Sequence, residues 1–122
     1  MANGEIFTWR DVWPAIAETL GTEPGPDTPR KMAEFLPAHR DLWPRIVEKY
    51  RLKPLTIDQV LGQSHFMADS SFSFGATEMP LPPIMSTVKI KQAGFTEACD
   101  TELSICHWLN VLIEQRVIPK IS

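Results

Sequence analysis

The sequence predicts an α+β fold that is predominantly helical. Three observations carry this. Apolar residues recur at helical spacing in several windows, proline and glycine separate those windows, and only two short stretches have the composition of a strand. The 122 residues are expected to form one domain, long enough to bury a core of its own.

Asn3-Gly4 is a turn signal, and Glu5-Ile6-Phe7-Thr8-Trp9 after it suits the first short strand. A helix is expected from Asp11, whose carboxylate can accept an otherwise unpaired backbone N–H, with Pro14 in its first turn. Trp13, Ile16, Ala17 and Leu20 then share one face, which predicts burial, and Gly21 supplies a left-handed stop. The connector Thr22-Glu23-Pro24-Gly25-Pro26-Asp27 is rich in turn residues. Thr28-Pro29 reads as the cap and first residue of a second helix, with Met32, Phe35 and Leu36 on one face before Pro37.

Arg40-Asp41-Leu42-Trp43-Pro44 repeats the pattern of Arg10-Asp11-Val12-Trp13-Pro14, so another helix is expected at Asp41, striped by Trp43, Ile46, Val47 and Tyr50. Two copies fall short of the roughly three units a repeat architecture needs, so the likeness reflects shared helix-start chemistry. Thr56 and Gln59 form a capping box for a short helix ending near Gly62. From Gln63 to Pro83 the texture changes to phenylalanine and methionine among small polar residues, where no long helix fits and Phe72-Ser73-Phe74 is the second strand candidate. Ser86 is placed to cap the next helix and Gly94 to stop it, with Phe95 available to pack against that end. The last helix starts near Asp100 or Thr101, buries Ile105, Trp108, Leu109, Leu112 and Ile113, and closes at Ile118-Pro119.

A net charge of −3 and a pI near 5.6 supply no electrostatic footprint for nucleic acid or an anionic membrane. No apolar run approaches the roughly 20 residues of a membrane span, and the start lacks the basic and apolar regions of a signal peptide. Cys99 and Cys106 are too few for a disulfide framework, and reduced thiols point to the cytoplasm.

Catalytic constellations are not apparent. Dinucleotide binding needs glycines at a strand-to-helix turn, and no G-x-G-x-x-G occurs; Gly21 and Gly25 belong to a turn-rich connector. His39, His65 and His107 show no metal-ligand spacing with each other or with the cysteines. Cys106 and His107 are adjacent on a helix and point apart. The sequence therefore assigns no catalytic, cofactor-binding or metal residue. Phe66, Met67, Phe72 and Phe74 are the candidate substrate-binding residues, because phenylalanine and methionine with few polar groups line apolar pockets. The same residues also suit a core beneath an irregular segment.

Several landmarks stand in an order that resembles the C-terminal half of extended short-chain dehydrogenase/reductases of the progesterone 5β-reductase/iridoid synthase-like group. Asn3-Gly4-Glu5-Ile6-Phe7-Thr8-Trp9 with Trp13-Pro14-Ala15-Ile16-Ala17 resembles an N-G-x-x-F-x-W…W-P-x-I-A opening, and residues 42–52 resemble a W-x-x-I-V-x-x-x-x-L helix. Ser64-His65-Phe66-Met67-Ala68-Asp69 is similar to an aromatic-rich stretch ending in A-D, with His65 where that group often has tryptophan. Residues 86–95 and 100–119 complete the resemblance.

The resemblance implies a substrate-binding part without its Rossmann half. NADP(H) and a catalytic tyrosine with a lysine four residues on would belong to that other half, and hydride would pass to an apolar enone or related carbonyl compound. Here the only tyrosine, Tyr50, has Lys53 three residues away and continues the Trp43 stripe, so packing accounts for it. The expected function is thus the substrate-binding part of an NAD(P)H-dependent reductase, with no cofactor bound by this chain alone. The alternative is a stand-alone helical module that binds an apolar ligand or a protein partner. Expected partners are an apolar small molecule, the Rossmann half, and a second copy in a homodimer paired through residues 5–9 and Phe72 to Phe74, with strand exchange one route.

Overall fold

Helix starts and stops decide this architecture. The structure is a computed structural model describing residues 5–78, 81 and 84–121; the Asn3-Gly4 turn, Met79 and Pro83 lie outside the described residues. Among the described residues there are seven α-helices and no strand, so the expected helical predominance holds. The helices are α1 (Trp9–Leu20), α2 (Met32–Ala38), α3 (Trp43–Tyr50), α4 (Ile57–Leu61), α5 (Ser64–Ser71), α6 (Val88–Gln92) and α7 (Thr101–Glu114). Neither strand expectation survives. Residues 5–8 carry no regular structure and Trp9 already opens α1, while Phe72 to Phe74 form the turn that closes α5. A strand-like composition needs a neighbouring strand to hydrogen-bond with, and composition cannot supply one.

Contacts divide the chain into two compact units: residues 1–24, 81–111 and 121–122, and residues 25–80 with 112–120.

In the first unit, α1 is capped by Thr8 rather than Asp11. The Thr8 hydroxyl oxygen accepts from the Asp11 N–H at 3.2 Å, which places Asp11 in the first turn where its charge suits the helix dipole. Pro14 consequently lies inside the helix, where it forgoes one backbone hydrogen bond. The buried side of α1 centres on Val12 and Ala17, with Ile16 and Leu20 half-buried; Trp13, expected inside, is exposed. α6 is short, Thr87 occupies its cap position, and Ser86 Oγ accepts from the Val88 N–H at 3.4 Å.

α7 starts where expected. Asp100 Oδ1 accepts from the Leu103 N–H at 2.8 Å, and the Glu5 carboxylate accepts from the N–H of buried Thr101 at 2.7 Å, from 96 positions away. Ile105, Leu109 and Ile113 are half-buried, but Trp108 is exposed and Leu112 borders on exposure. The helix ends at Glu114, short of Pro119.

The second unit is organised around α2 and α5, which pack together. The Thr28-Pro29 start does not occur. α2 begins at Met32, and its formal cap residue Lys31 gives no side-chain cap. Pro37 lies inside α2 rather than beyond it. Asp69 of α5 caps α2 instead: its two carboxylate oxygens accept from the Met32 and Ala33 N–H groups at 2.6 and 3.0 Å. α3 begins at Trp43 after a 3-10 turn at Arg40–Leu42, not at Asp41. Its stripe of Trp43, Ile46, Val47 and Tyr50 is half-buried as expected, and the Thr56–Gln59 capping box is formed in full. α5 occupies part of a stretch in which no long helix fits; it is eight residues long.

Five helices end in one way. After α1, α3, α5, α6 and α7 the left-handed residue is Gly21, Arg51, Ser73, Gly94 and Arg116, and each time the following N–H reaches five residues back. The glycine ends were legible; the two arginines and the serine adopt a conformation that costs a side-chain-bearing residue roughly 1–2 kcal/mol.

Candidate functional site

Phe66 and Met67 lie next to each other on α5, about 100° apart around the helix, so they cannot point the same way. Phe72 caps the C-terminal end of α5 and Phe74 follows in the turn, where its N–H donates to Asp69 O at 2.9 Å. All four candidate residues are exposed, Phe66 by 52% and Met67 by 64%. They share one continuous segment anchored from behind by Asp69. The half-buried residues of α5 are His65, Ala68 and Asp69.

His65 adds a polar feature there. Its ring lies 4.2 Å from that of Phe66, and its Nδ1 is buried without a hydrogen-bond partner. A buried polar atom in that state is uncommon, and in an apolar segment it marks a point at which orientation could be fixed. Sequence reasoning weighed His65 as a metal ligand, on spacing, and noted it as a departure from the pattern of the resembled group, but neither reading pointed to this atom.

A formed concavity in the same unit lies elsewhere, along α3. Its volume is about 390 Å³, and Trp43, Val47, Pro54, Leu55 and Ile57 give it apolar walls. The floor is fixed by the Trp43 indole N–H, which donates to Leu55 O at 2.8 Å. At the rim the Arg40 guanidinium meets the Asp58 carboxylate at 2.9 Å, an exposed pair of the kind worth little to stability. This volume falls in the range of small-ligand sites. The sequence signal for it was the Trp43 stripe, which was read as packing alone.

In the first unit a second hollow of about 450 Å³ is bordered by Pro14, Gly21, Thr22 and Pro24, with Glu18 and Glu23 making it acidic.

Among the described residues, titratable groups supply no assembled acid–base pair. Lys31 is held above its ordinary value of 10.5 by its hydrogen bond to Glu34 and by that carboxylate's charge, and it is fully exposed. Cys106 is half-buried, and the His107 ring meets Trp108 edge-on at 5.2 Å. Tyr50 ends α3 with the Lys49 ammonium 5.0 Å over its ring, and the Lys53 N–H donates to Arg116 O at 2.8 Å. These residues fit helix ends rather than a proton relay. Gly21 likewise closes a helix, whereas a pyrophosphate cradle needs glycine where a helix opens. Among the described residues no group of three or more histidine, cysteine, aspartate or glutamate side chains is placed to hold a metal ion, and no helix is long and apolar enough to cross a membrane.

The chain matches no family profile. It is similar to (S)-8-oxocitronellyl enol synthase CYC1 of Camptotheca acuminata, with 24% identity over 97% of this chain. It is also similar to (S)-8-oxocitronellyl enol synthase of Catharanthus roseus, with 26% identity over 96% of the chain. In both cases the chain spans 29% of the relative's length. The similarity is distant but runs almost from end to end, in the direction of the group that the sequence landmarks resemble.

Proposed function

We propose that this chain is the substrate-binding C-terminal part of an NAD(P)H-dependent short-chain reductase that acts on an apolar enone or related carbonyl compound, and that it is not catalytic alone. The observation that supports this best is the distant similarity over 96–97% of the chain to relatives more than three times as long. Three features agree with it. Phe66, Met67, Phe72 and Phe74 are apolar, exposed and carried by one segment, a composition that suits an apolar site. Asp69, the end of the A-D landmark, fastens that segment to α2. Gly21 closes α1 and Tyr50 ends α3, so both residues serve helix ends.

In this reading the companion part is a Rossmann half that holds NADP(H), and the cofactor supplies the hydride. This chain's own residues bind the apolar body of the substrate and exclude water from it. The test is the coding region upstream of Met1. An in-frame glycine-rich loop and a tyrosine with a lysine four residues on, in a product that oxidises NADPH with apolar enones, is the expected result. A stop codon directly upstream, with no such half encoded beside it, would overturn the proposal.

The α3 concavity favours a second reading, a stand-alone helical module for an apolar ligand. Apolar side chains of this chain alone border it. Saturable quenching of tryptophan fluorescence by a terpenoid or fatty acid, abolished in Val47→Asp and untouched in Phe72→Ala, would select it over the first.

A further inference from the structure

We infer that residues 25–31 dock into a protein domain of the SH3 type, whose aromatic groove takes paired prolines and whose acidic pocket takes a lysine. The inference stands apart from the reductase proposal, because it uses neither the phenylalanine segment nor the α3 concavity. Gly25-Pro26-Asp27-Thr28-Pro29-Arg30-Lys31 has the spacing P-x-x-P-x-K, and all of it belongs to the second unit.

The residue types of this connector favour turns, yet the chain runs straight here. Residues 25–31 contain neither a turn nor a bend, and each of them is exposed. Gly25, the residue freest to take a left-handed φ, does not take one. The proline rings hold φ at about −65° at two further positions. Lys31, at the far end, is extended with φ −79° and ψ 101°. Among the described residues the N–H groups of Gly25, Thr28 and Arg30 donate to no backbone carbonyl, and the α2 ladder begins only at Lys31 O. The Thr28 hydroxyl donates to Pro26 O at 3.2 Å, a contact inside the segment. A straight course, negative φ and a backbone left to water are the marks of polyproline II.

That conformation presents the prolines in register. Residues three apart share a ridge, so Pro26 and Pro29 stand about 9 Å apart on one side of the segment. A groove walled by aromatic rings accepts such a ridge with little loss of entropy, because the free chain already has the bound shape. A Cβ added at Gly25 would meet nothing within 4 Å, so a partner surface can come close beside Pro26.

Of the two cations that follow, the structure favours Lys31 for recognition. Arg30 lies over the Phe35 ring at 4.6 Å and is held against α2. Lys31 is exposed, about 6 Å beyond Pro29 along the segment. Its ammonium meets Glu34 at 2.7 Å in an exposed pair that contributes little, so a carboxylate of the partner can replace Glu34. An acidic pocket past the second proline site therefore complements this segment and fixes its direction.

Nuclear magnetic resonance of the isotope-labelled full chain, titrated with a purified SH3 domain that accepts P-x-x-P-x-K peptides, tests this. The amide signals of Gly25, Thr28, Arg30 and Lys31 should shift saturably at micromolar domain concentrations. Pro26→Ala with Pro29→Ala, and separately Lys31→Glu, should weaken binding by at least about tenfold with the helical circular dichroism unchanged. Lys89→Glu, at an exposed lysine of the first unit, should bind as the parent does. A proline-rich peptide of the same spacing should displace the unmodified chain, a readout that needs no variant to fold. No saturable shift would make the segment a stiff spacer only and overturn the inference. Shifts centred outside 25–31, folded variants that bind as the parent does, or a peptide that fails to displace the chain would overturn it equally.

Discussion

Asp69→Ala removes a side chain that joins α5 to the start of α2. Two backbone N–H groups lose a charged acceptor, at 2.6 and 3.0 Å. Hydrogen bonds to a charged group contribute about 1.5–3 kcal/mol each when buried, and a helix cap contributes about 1, so two half-buried bonds are worth roughly 3 kcal/mol. Two effects oppose this. Alanine is the better helix former by about 0.5 kcal/mol, and removing an anion from the last turn of α5 relieves a similar amount of dipole repulsion. The net cost is about 2 kcal/mol. Asp69→Asn keeps one acceptor oxygen and should cost about half as much. Urea unfolding followed by circular dichroism reads the change, and the melting midpoint should fall by roughly 10 °C. Hydrogen exchange localises it, with protection lost at the Met32 and Ala33 amides first. Glu97→Ala, on an exposed loop, is the control. If Asp69→Ala unfolds within about 0.5 kcal/mol of the parent, the range of an ordinary surface change, the cap does not organise this unit.

Other outcomes follow from the same contacts. Glu5→Gln retains an acceptor but loses its charge at the N-terminus of α7, and should destabilise by about 1 kcal/mol in urea titrations, with exchange at Thr101 accelerated. Arg51→Gly relieves a left-handed conformation at φ 52° and should stabilise by about 1 kcal/mol, visible as a raised melting midpoint. His65→Phe removes a buried nitrogen without a partner and should also stabilise by about 1 kcal/mol; a loss of stability would mean the imidazole is satisfied by a group bound from solution. The purified chain should neither bind NADPH in calorimetric titration nor oxidise it with an enone, and micromolar binding would contradict the division of labour proposed above.

Signals contained within a few residues were legible in the sequence. Thr56 and Gln59 cap α4 as their spacing requires, Gly21 and Gly94 stop α1 and α6, and the Trp43 stripe faces inward. Asp11 was misread because Thr8, three residues earlier, is itself a capping residue, and its hydroxyl oxygen accepts from the Asp11 N–H. Thr28-Pro29 was misread for a different reason: the cap that starts α2 comes from a residue 37 positions away, which no local pattern encodes. Trp108 shows the limit of periodicity. On a helix that is apolar all round, spacing cannot say which side has a neighbour. For a candidate site, composition nominated the segment bearing Phe66 to Phe74, whose four named side chains are exposed. The α3 concavity escaped notice because it depends on a bond between Trp43 and Leu55.

The bond between Glu5 and Thr101 has a bearing on how the chain is made. Glu5 leaves the ribosome long before Thr101, 96 positions later, so the first unit cannot close during most of synthesis. The Asp69 link to Met32 spans only 37 positions and is complete much sooner. Loop entropy alone separates the two closures by only about 0.8 kcal/mol, so the order of emergence dominates over the cost of closure. Within this stretch, the unit held by Asp69 should therefore gain structure before the unit held by Glu5. Until Thr101 appears, the Glu5 carboxylate has no helix N-terminus of α7 to accept from.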